Sequence, residues 1–396
     1  METVPAPVNQ DITREPSAAH PFDGRARVAY ADAFRAFAIL VVVIDHLISR
    51  VAPRFDNIGG PLGVWGVDCF FVLTGFLLAR PYLEAVLERR PFPSSRLFFA
   101  RRFYRIWPTY ALAVVVSALG ERIHGGHHLS LADVATHLTM TYNFVPAFNL
   151  SKFNIPLWTM AVDADFYLLL PLAALAVIAL VQRVPLAQRV RLLFVLFGLA
   201  IVASVLGRAL IVHAVPRVLS DTDLGFTLLK NVFGMGASFV FGIILALLAV
   251  LKTPVRPALA YSALAIGAVA AISLFLVPSS APPVVIFIDL VGGFSAALLL
   301  FACMHGAIPG ADRVVGSKAV VTIAALSYSI YLFHAPVLNT IYDLVHSHYH
   351  HRASAAFDIV LVLAMLAGMV AVAYLAHHFV EQPFLRRKDA LRERAA

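Results

Sequence analysis

The sequence predicts an all-α polytopic membrane protein of about ten transmembrane helices, with both termini on the cytoplasmic side. Three observations predict it. Of the 396 residues, 60% are hydrophobic and only 14% charged, too little charge to cover a soluble protein of this length. The apolar residues fall in blocks of about 20, the length a helix needs to cross the hydrocarbon core. Basic residues gather between alternate blocks, which orients the chain.

The apolar blocks run roughly 30–48, 63–83, 103–120, 161–181, 192–213, 231–251, 258–277, 284–306, 319–340 and 357–380. Breakers separate them, among them Pro91-Phe92-Pro93, Pro185, Pro254 and Pro282-Pro283. With the N-terminus inside, most of the 31 lysines and arginines fall on inner segments, including the run from Arg80 to Arg105 and the tail from Arg386 to Arg394. That distribution accounts for the net charge of +8 without a nucleic-acid partner. Residues 1–28 are polar, lack a signal-peptide pattern and are expected to form a disordered cytoplasmic tail. Residues 29–385 form the membrane domain and 386–396 a basic cytoplasmic tail. The less apolar stretch from Leu129 to Ser151 is expected to be amphipathic or re-entrant. Cys69 and Cys303 lie far apart in apolar blocks and imply no disulfide framework.

Ionisable residues inside spans are costly, which makes each a functional candidate. The first span carries Asp32, Arg35, Asp45 and His46. Arg35 and His46 lie eleven residues apart, about three helical turns, so they share a face at a separation of roughly 16 Å. Asp32 stands one turn before Arg35 and can pair with it. Asp45 points about 100° away from His46 and makes a poor direct partner. The plain alternatives are snorkelling for Arg35 and a structural hydrogen bond to a neighbouring helix for His46. The topology puts His46, Asp68, Asp163 and His334 in the outer third of the membrane, a shared depth that suggests one polar cavity. A neutral imidazole there can take a proton from an attacking hydroxyl, and a carboxylate on its other nitrogen would fix the tautomer. Asp163 or Asp68 could serve His46 in this way, and the spacing does not choose between them.

The basic stretch SRLFFARRFYRIWPTY, read as a cytoplasmic loop from Arg96 to Arg105, interleaves arginines with aromatics. Arginine forks match phosphate groups, so a soluble donor with several phosphates would fit. Topology and lipid headgroup contacts are the plainer explanation. Two histidine clusters, His124, His127 and His128, then His346, His348, His350 and His351, lack supporting carboxylates or cysteines, and no metal site is expected.

In order along the chain, DAFRA…DH (Arg35, His46), GVDCFFVLTGF (Asp68) and RRFYRIWPTY (Arg101, Arg102, Arg105) precede PLWTMAVDADFY (Trp158, Asp163, Asp165), LSYSIYLFHAP (Tyr331, His334) and VEQPF (Glu381). Together they resemble the acyltransferase 3 family of integral membrane acyltransferases over roughly residues 28–386. The resemblance implies transfer of an acyl group, often acetyl from acetyl-CoA, to a hydroxyl of a glycan, an antibiotic or another small molecule. It implies that His46 is the essential catalytic histidine and that Arg35 and the Arg101–Arg105 cluster bind or position the donor. Asp32, Trp158, Asp165, Tyr331 and Glu381 would support the site. Two departures stand out: Ala33 where the family has Gly, and Asp163 where it has Glu. Without an esterase-like C-terminal domain, the chain reads as the bare membrane module.

The expectation is therefore an acyl-CoA-dependent O-acyltransferase of a bacterial plasma membrane. Its partners are acyl-CoA, a hydroxylated acceptor and the lipid bilayer, with no resident cofactor. The competing reading is a proton-coupled secondary transporter that uses the buried His and Asp set as a relay. An accessory or sensor protein without catalysis is a third.

Overall fold

The computed structural model describes residues 24–123, 130–145, 148, 154–181, 183–215, 218–219, 222–276, 281–348 and 355–393. Among these residues all regular structure is helical. The helices are α1 (Gly24–Val51), α2 (Asp56–Glu88), α3 (Ser95–Ile123), α4 (Leu131–Leu138) and α5 (Trp158–Val181). They continue with α6 (Leu186–Ala214), α7 (Thr222–Leu229), α8 (Gly236–Val250), α9 (Pro257–Ser273) and α10 (Pro282–Met304). Last come α11 (Ala311–Val315), α12 (Lys318–His348), α13 (Ala355–Ala376), a π-helical turn (His377–Glu381) and α14 (Gln382–Glu393).

Each of the ten expected spans overlaps a helix. Among the described residues, six helical stretches are long and apolar enough to cross a membrane: Gly60–Glu88, Ile155–Val181, Leu186–Ala214, Pro282–Met304, Lys318–Ser347 and Ala356–Leu391. Helices α8 and α9 are apolar but shorter, at 15 and 17 residues. Helices α1 and α3 hold the ionisable residues discussed below, which lower their apolarity. The protein is a multi-pass membrane protein.

Helix α1 starts at Gly24, inside the stretch expected to be a disordered tail, and residues 1–23 lie outside the described ones. The basic segment from Arg96 to Arg105 is not a loop but the first turns of α3, since no breaker interrupts it before Pro108. The expected basic tail is helical as far as Glu393 and packs on α3. Of the stretch from Leu129 to Ser151, the structure describes α4, a short 3-10 turn at Tyr142–Phe144 and a few flanking residues. His124, His127, His128, His350 and His351 lie outside the described residues.

Helix α2 is the hub. It packs on α1, α5, α8 and α10, and 67% of its span is buried inside the protein, against 11% for the peripheral α6. The α2–α8 contact depends on two glycines: a Cβ on Gly75 would collide with the Phe239 carbonyl, and one on Gly242 with the Val72 carbonyl. Small residues let helix backbones approach closely where lipid supplies no hydrophobic drive for association. Gly242→Ala is therefore expected to lower the thermal unfolding midpoint in detergent, at a cost of about 1–3 kcal/mol. Gly198→Ala on α6, where nothing lies within 4 Å of a new Cβ, is expected to leave it unchanged.

Helix α12 crosses α1 and brings the C-terminal third of the chain against the first span. Pro336 lies inside α12 and has no N–H to give the Leu332 carbonyl. The buried Asn154 fills that vacancy, its side-chain amide bonding Leu332 O at 3.1 Å and Ser117 Oγ at 3.2 Å. The segment leading into α5 is thereby tied to α12 beside His334.

Candidate active site

The α1–α12 crossing sets two imidazoles together. The rings of His46 and His334 are 4.6 Å apart and almost perpendicular. Nδ1 of His46 bonds the Val42 carbonyl at 2.9 Å, and Nδ1 of His334 bonds the Tyr331 carbonyl at 2.7 Å. A carbonyl only accepts, so both Nδ1 atoms carry the proton and both Nε2 lone pairs are left available. The His334 side chain is fully buried, and its Nε2 has no protein partner among the described residues. The His46 side chain is 33% exposed and therefore approachable.

The carboxylate beside His46 is neither Asp163 nor Asp68 but Asp45, whose Oδ2 stands 3.2 Å from His46 Nδ1. The angular argument against Asp45 fails because the ring folds back along its own helix toward Val42, which turns Nδ1 to within reach of the neighbouring residue. Gly63 on α2 makes the room: a Cβ there would strike the Asp45 carboxylate.

Next to this pair lies a cavity of about 460 Å³ between α1, α2, α3, α5, α12 and α14. Arg35, Arg101, Arg102 and Arg105 all line it, with Asp32 and Asp163 as its acidic groups. All four arginines expected at a donor site are thus brought together. Residues 101, 102 and 105 project from adjoining faces of one helical turn, while Arg35 reaches in from α1. Asp32 pairs with Arg35 at 2.6 Å, as the spacing predicts. The hydroxyl of Tyr167 donates to Asp163 at 3.2 Å. Nε of Arg101, Nε of Arg102 and Oδ1 of Asp163 are buried without a protein partner among the described residues. The cavity has polar capacity that the protein itself leaves unused.

Tyr331 stands between cavity and histidines. It lines the cavity and packs 5.6 Å from His334, ring to ring. Its hydroxyl takes a hydrogen bond from Thr159 at 2.7 Å and donates to the Pro156 carbonyl at 3.0 Å. Phe70 completes the wall, 5.7 Å from Tyr331.

The single polar cavity expected from shared depth divides into three places. His46 and His334 form the pair, and Asp163 belongs to the arginine cavity. Asp68 sits in a separate buried cluster, where it accepts a hydrogen bond from Ser238 at 2.7 Å. Nearby, Asp289 forms ion pairs with both Arg208 and Lys230 at 2.8 Å, and Lys230 lies 5.7 Å over the Trp158 ring. The sequence reading did not single out Arg208, Lys230, Ser238 or Asp289, although Asp289 interrupts an apolar span and was detectable by the same rule that found Asp68. Asp165 leaves the cavity wall and accepts from Asn143 at 2.8 Å. Glu381 is buried in the π turn, where its Oε2 accepts from Ser329 and from His377 Nδ1, each at 2.8 Å. His377 is another residue that the sequence reading missed. Among the described residues, no group of three or more histidine, cysteine or acidic side chains is arranged to hold a metal ion.

A model of the acyltransferase 3 family, described as an acyltransferase domain, matches residues 28–378. The chain belongs to the acyltransferase 3 family. This membrane acyltransferase is 28% identical over 376 residues to Acyltransferase MdmB of Streptomyces mycarofaciens, an alignment that covers 89% of this chain and 90% of MdmB. It is 26% identical over 343 residues to Peptidoglycan O-acetyltransferase OatA of Listeria monocytogenes, covering 79% of this chain and 50% of OatA. The acyltransferase thus spans about half the length of that relative. No solved structure matches it. Membership in an acyltransferase family favours the enzyme over the transporter reading.

Proposed function

We propose that the protein is an acyl-CoA-dependent O-acyltransferase that moves an acyl group, acetyl in the simplest case, onto a hydroxyl of a glycan, an antibiotic or another small molecule. The observation that carries this reading is the adjacency of a four-arginine cavity to a histidine pair across a wall that includes Tyr331, which packs against His334. Arginine suits the phosphates of a coenzyme A donor, and the volume lies in the range of small-molecule sites. In this reading all ten spans cross the bilayer, both termini face the cytoplasm, and the donor enters from the arginine side. The relatives named acyltransferase and O-acetyltransferase support the acyl and hydroxyl halves of the proposal.

The chemistry follows from the tautomer. Nε2 of His46 takes the proton of the acceptor hydroxyl as its oxygen attacks the thioester carbonyl carbon. The new C–O bond forms and the C–S bond breaks. The CoA thiolate leaves and takes the proton back from the imidazolium. Asp45 stabilises the transient positive charge, and its contact with Nδ1 keeps Nε2 as the basic nitrogen. His334 packs edge-on against the ring and fixes its orientation.

The test uses purified protein in nanodiscs with [¹⁴C]acetyl-CoA and two acceptor pools, isolated peptidoglycan fragments and hydroxylated small molecules, antibiotics among them. Label in an acceptor, with stoichiometric release of free thiol, is the expected result; no consumption of acetyl-CoA overturns the proposal. The arginine cavity gives a second prediction. Arg102→Gln is expected to raise KM for acetyl-CoA about 10- to 100-fold, as loss of one charge-assisted phosphate contact should. Its kcat is expected to change far less, because the contact is to a part of the donor that does not react.

A further inference from the structure

We propose that Lys388, on the C-terminal helix α14, is a fifth cation of the donor cavity and holds a phosphate group of the acyl-CoA. The inference rests on the acyl-CoA reading above and deepens it. Lys388 lies beyond the last residue matched by the family model, 378, and the sequence presents it as one base among several in a tail.

Local backbone geometry turns it inward. Helix α13 passes into the π turn His377–Glu381 before α14 begins. A π turn holds one more residue than an α turn, so everything after it is rotated by about 100° relative to an unbroken helix. Glu381 locks the turn: its side chain is buried and bonded to Ser329 of α12 and to His377. Helix α14 is then held on α3 by stacking of Phe384 against Tyr104, 6.3 Å between rings. In this register Lys388 lines the cavity together with Arg35, Arg101, Arg102 and Arg105. The adjacent Arg387 turns aside onto the Phe384 ring, 5.2 Å from its centroid.

The charge balance points to a polyanion. Five cations face a cavity whose own acids are Asp32 and Asp163. Asp32 is already engaged by Arg35. The acid nearest Lys388 is Asp389, 3.5 Å away with a side chain 67% exposed. An exposed pair at that distance is weak, so an entering phosphate can displace it. Like charges gathered in a half-buried space repel each other unless an anion compensates them, and the phosphates of coenzyme A supply several negative charges. Lysine adds a flexible point charge to the planar arginine forks.

The experiment compares wild type, Lys388→Ala, Lys388→Gln and Lys388→Arg as full-length proteins in nanodiscs, with acetyl-CoA and with acetyl-pantetheine, which lacks the phosphates. Lys388→Ala and Lys388→Gln are expected to raise KM for acetyl-CoA about 10-fold with kcat within about 2-fold, and Lys388→Arg to recover most of the loss. With acetyl-pantetheine all four proteins are expected to show the same kinetics. A KM for acetyl-CoA unchanged in both neutral variants overturns the proposal and leaves the donor reading intact. An equal loss with acetyl-pantetheine overturns it too, because the effect would then be structural. Failure of the wild type to use acetyl-CoA overturns the donor reading and this inference with it.

Discussion

His46→Ala is expected to lower kcat for acyl transfer about a thousandfold or more while leaving donor binding nearly intact. A positioned general base contributes about 10²- to 10⁴-fold. Its Nε2 is the free nitrogen of a ring whose Nδ1 is held by Val42 and faced by Asp45. The histidine lies outside the arginine cavity, so the dissociation constant for a non-transferable CoA analogue should stay within about 2-fold of wild type. That split between binding and turnover distinguishes a catalytic base from a packing residue. Loss of packing against His334 would lower the thermal midpoint as well, so size-exclusion profile and melting curve must accompany the kinetics. Activity within about 10-fold of wild type in a folded variant sinks the assignment. Asp45→Asn is expected to do less damage, since the Val42 carbonyl still holds the tautomer. The double variant should be no worse than His46→Ala alone, because the carboxylate acts only through the imidazole.

How much of this could be read before the structure depended on the range of each interaction. The Asp32–Arg35 pair was legible because residues three apart on a helix must meet. The gathering of Arg101, Arg102 and Arg105 is legible from spacing, although charge density alone suggests a loop where the chain forms the start of α3. The meeting of His46 with His334, separated by most of the chain, was legible only because membrane topology turns sequence position into depth. Depth says nothing about azimuth. The expected topology gives Asp68 the depth of His46, yet its partner Ser238 lies on α8, and the helix-packing pattern that decides this leaves no periodic trace. Asp45 was misjudged for the opposite reason, since side-chain rotamers can close an angular gap that the backbone leaves open. The π turn was invisible because one additional residue in a helix changes phase without changing composition.

The buried ionic cluster gives the largest expected effect on stability. Arg208 and Asp289 are 3% and 1% exposed, and Lys230 joins them at 2.8 Å. Deleting one partner of a buried ion pair leaves a charge uncompensated, which costs about 3–5 kcal/mol. Asp289→Ala is therefore expected to lower unfolding free energy in detergent by about 3 kcal/mol or more. The burden falls on Lys230. Arg208 keeps carbonyl acceptors at Ile286, Leu229 and Val285, whereas Lys230 keeps the Trp158 ring and the field of Asp68. Lys230→Met in the Asp289→Ala background should then recover part of the loss, a coupling that a double-mutant cycle measures directly. A purely additive cycle would show that the pair is not what holds the turn between α7 and α8 against α10. The same logic separates Asp68 from the chemistry. Its hydrogen bond to Ser238 joins α2 to α8, and a Cβ on Gly292 of α10 would strike its carboxylate, so three helices meet at this one side chain. Asp68→Asn is expected to lower the melting midpoint while the surviving folded fraction keeps a kcat near wild type. A folded, stable Asp68→Asn protein with kcat reduced as far as His46→Ala would return Asp68 to the catalytic site. The expected result makes the cluster the support that holds α2, and with it the Phe70 and Thr74 wall of the cavity, at the correct distance from the histidines.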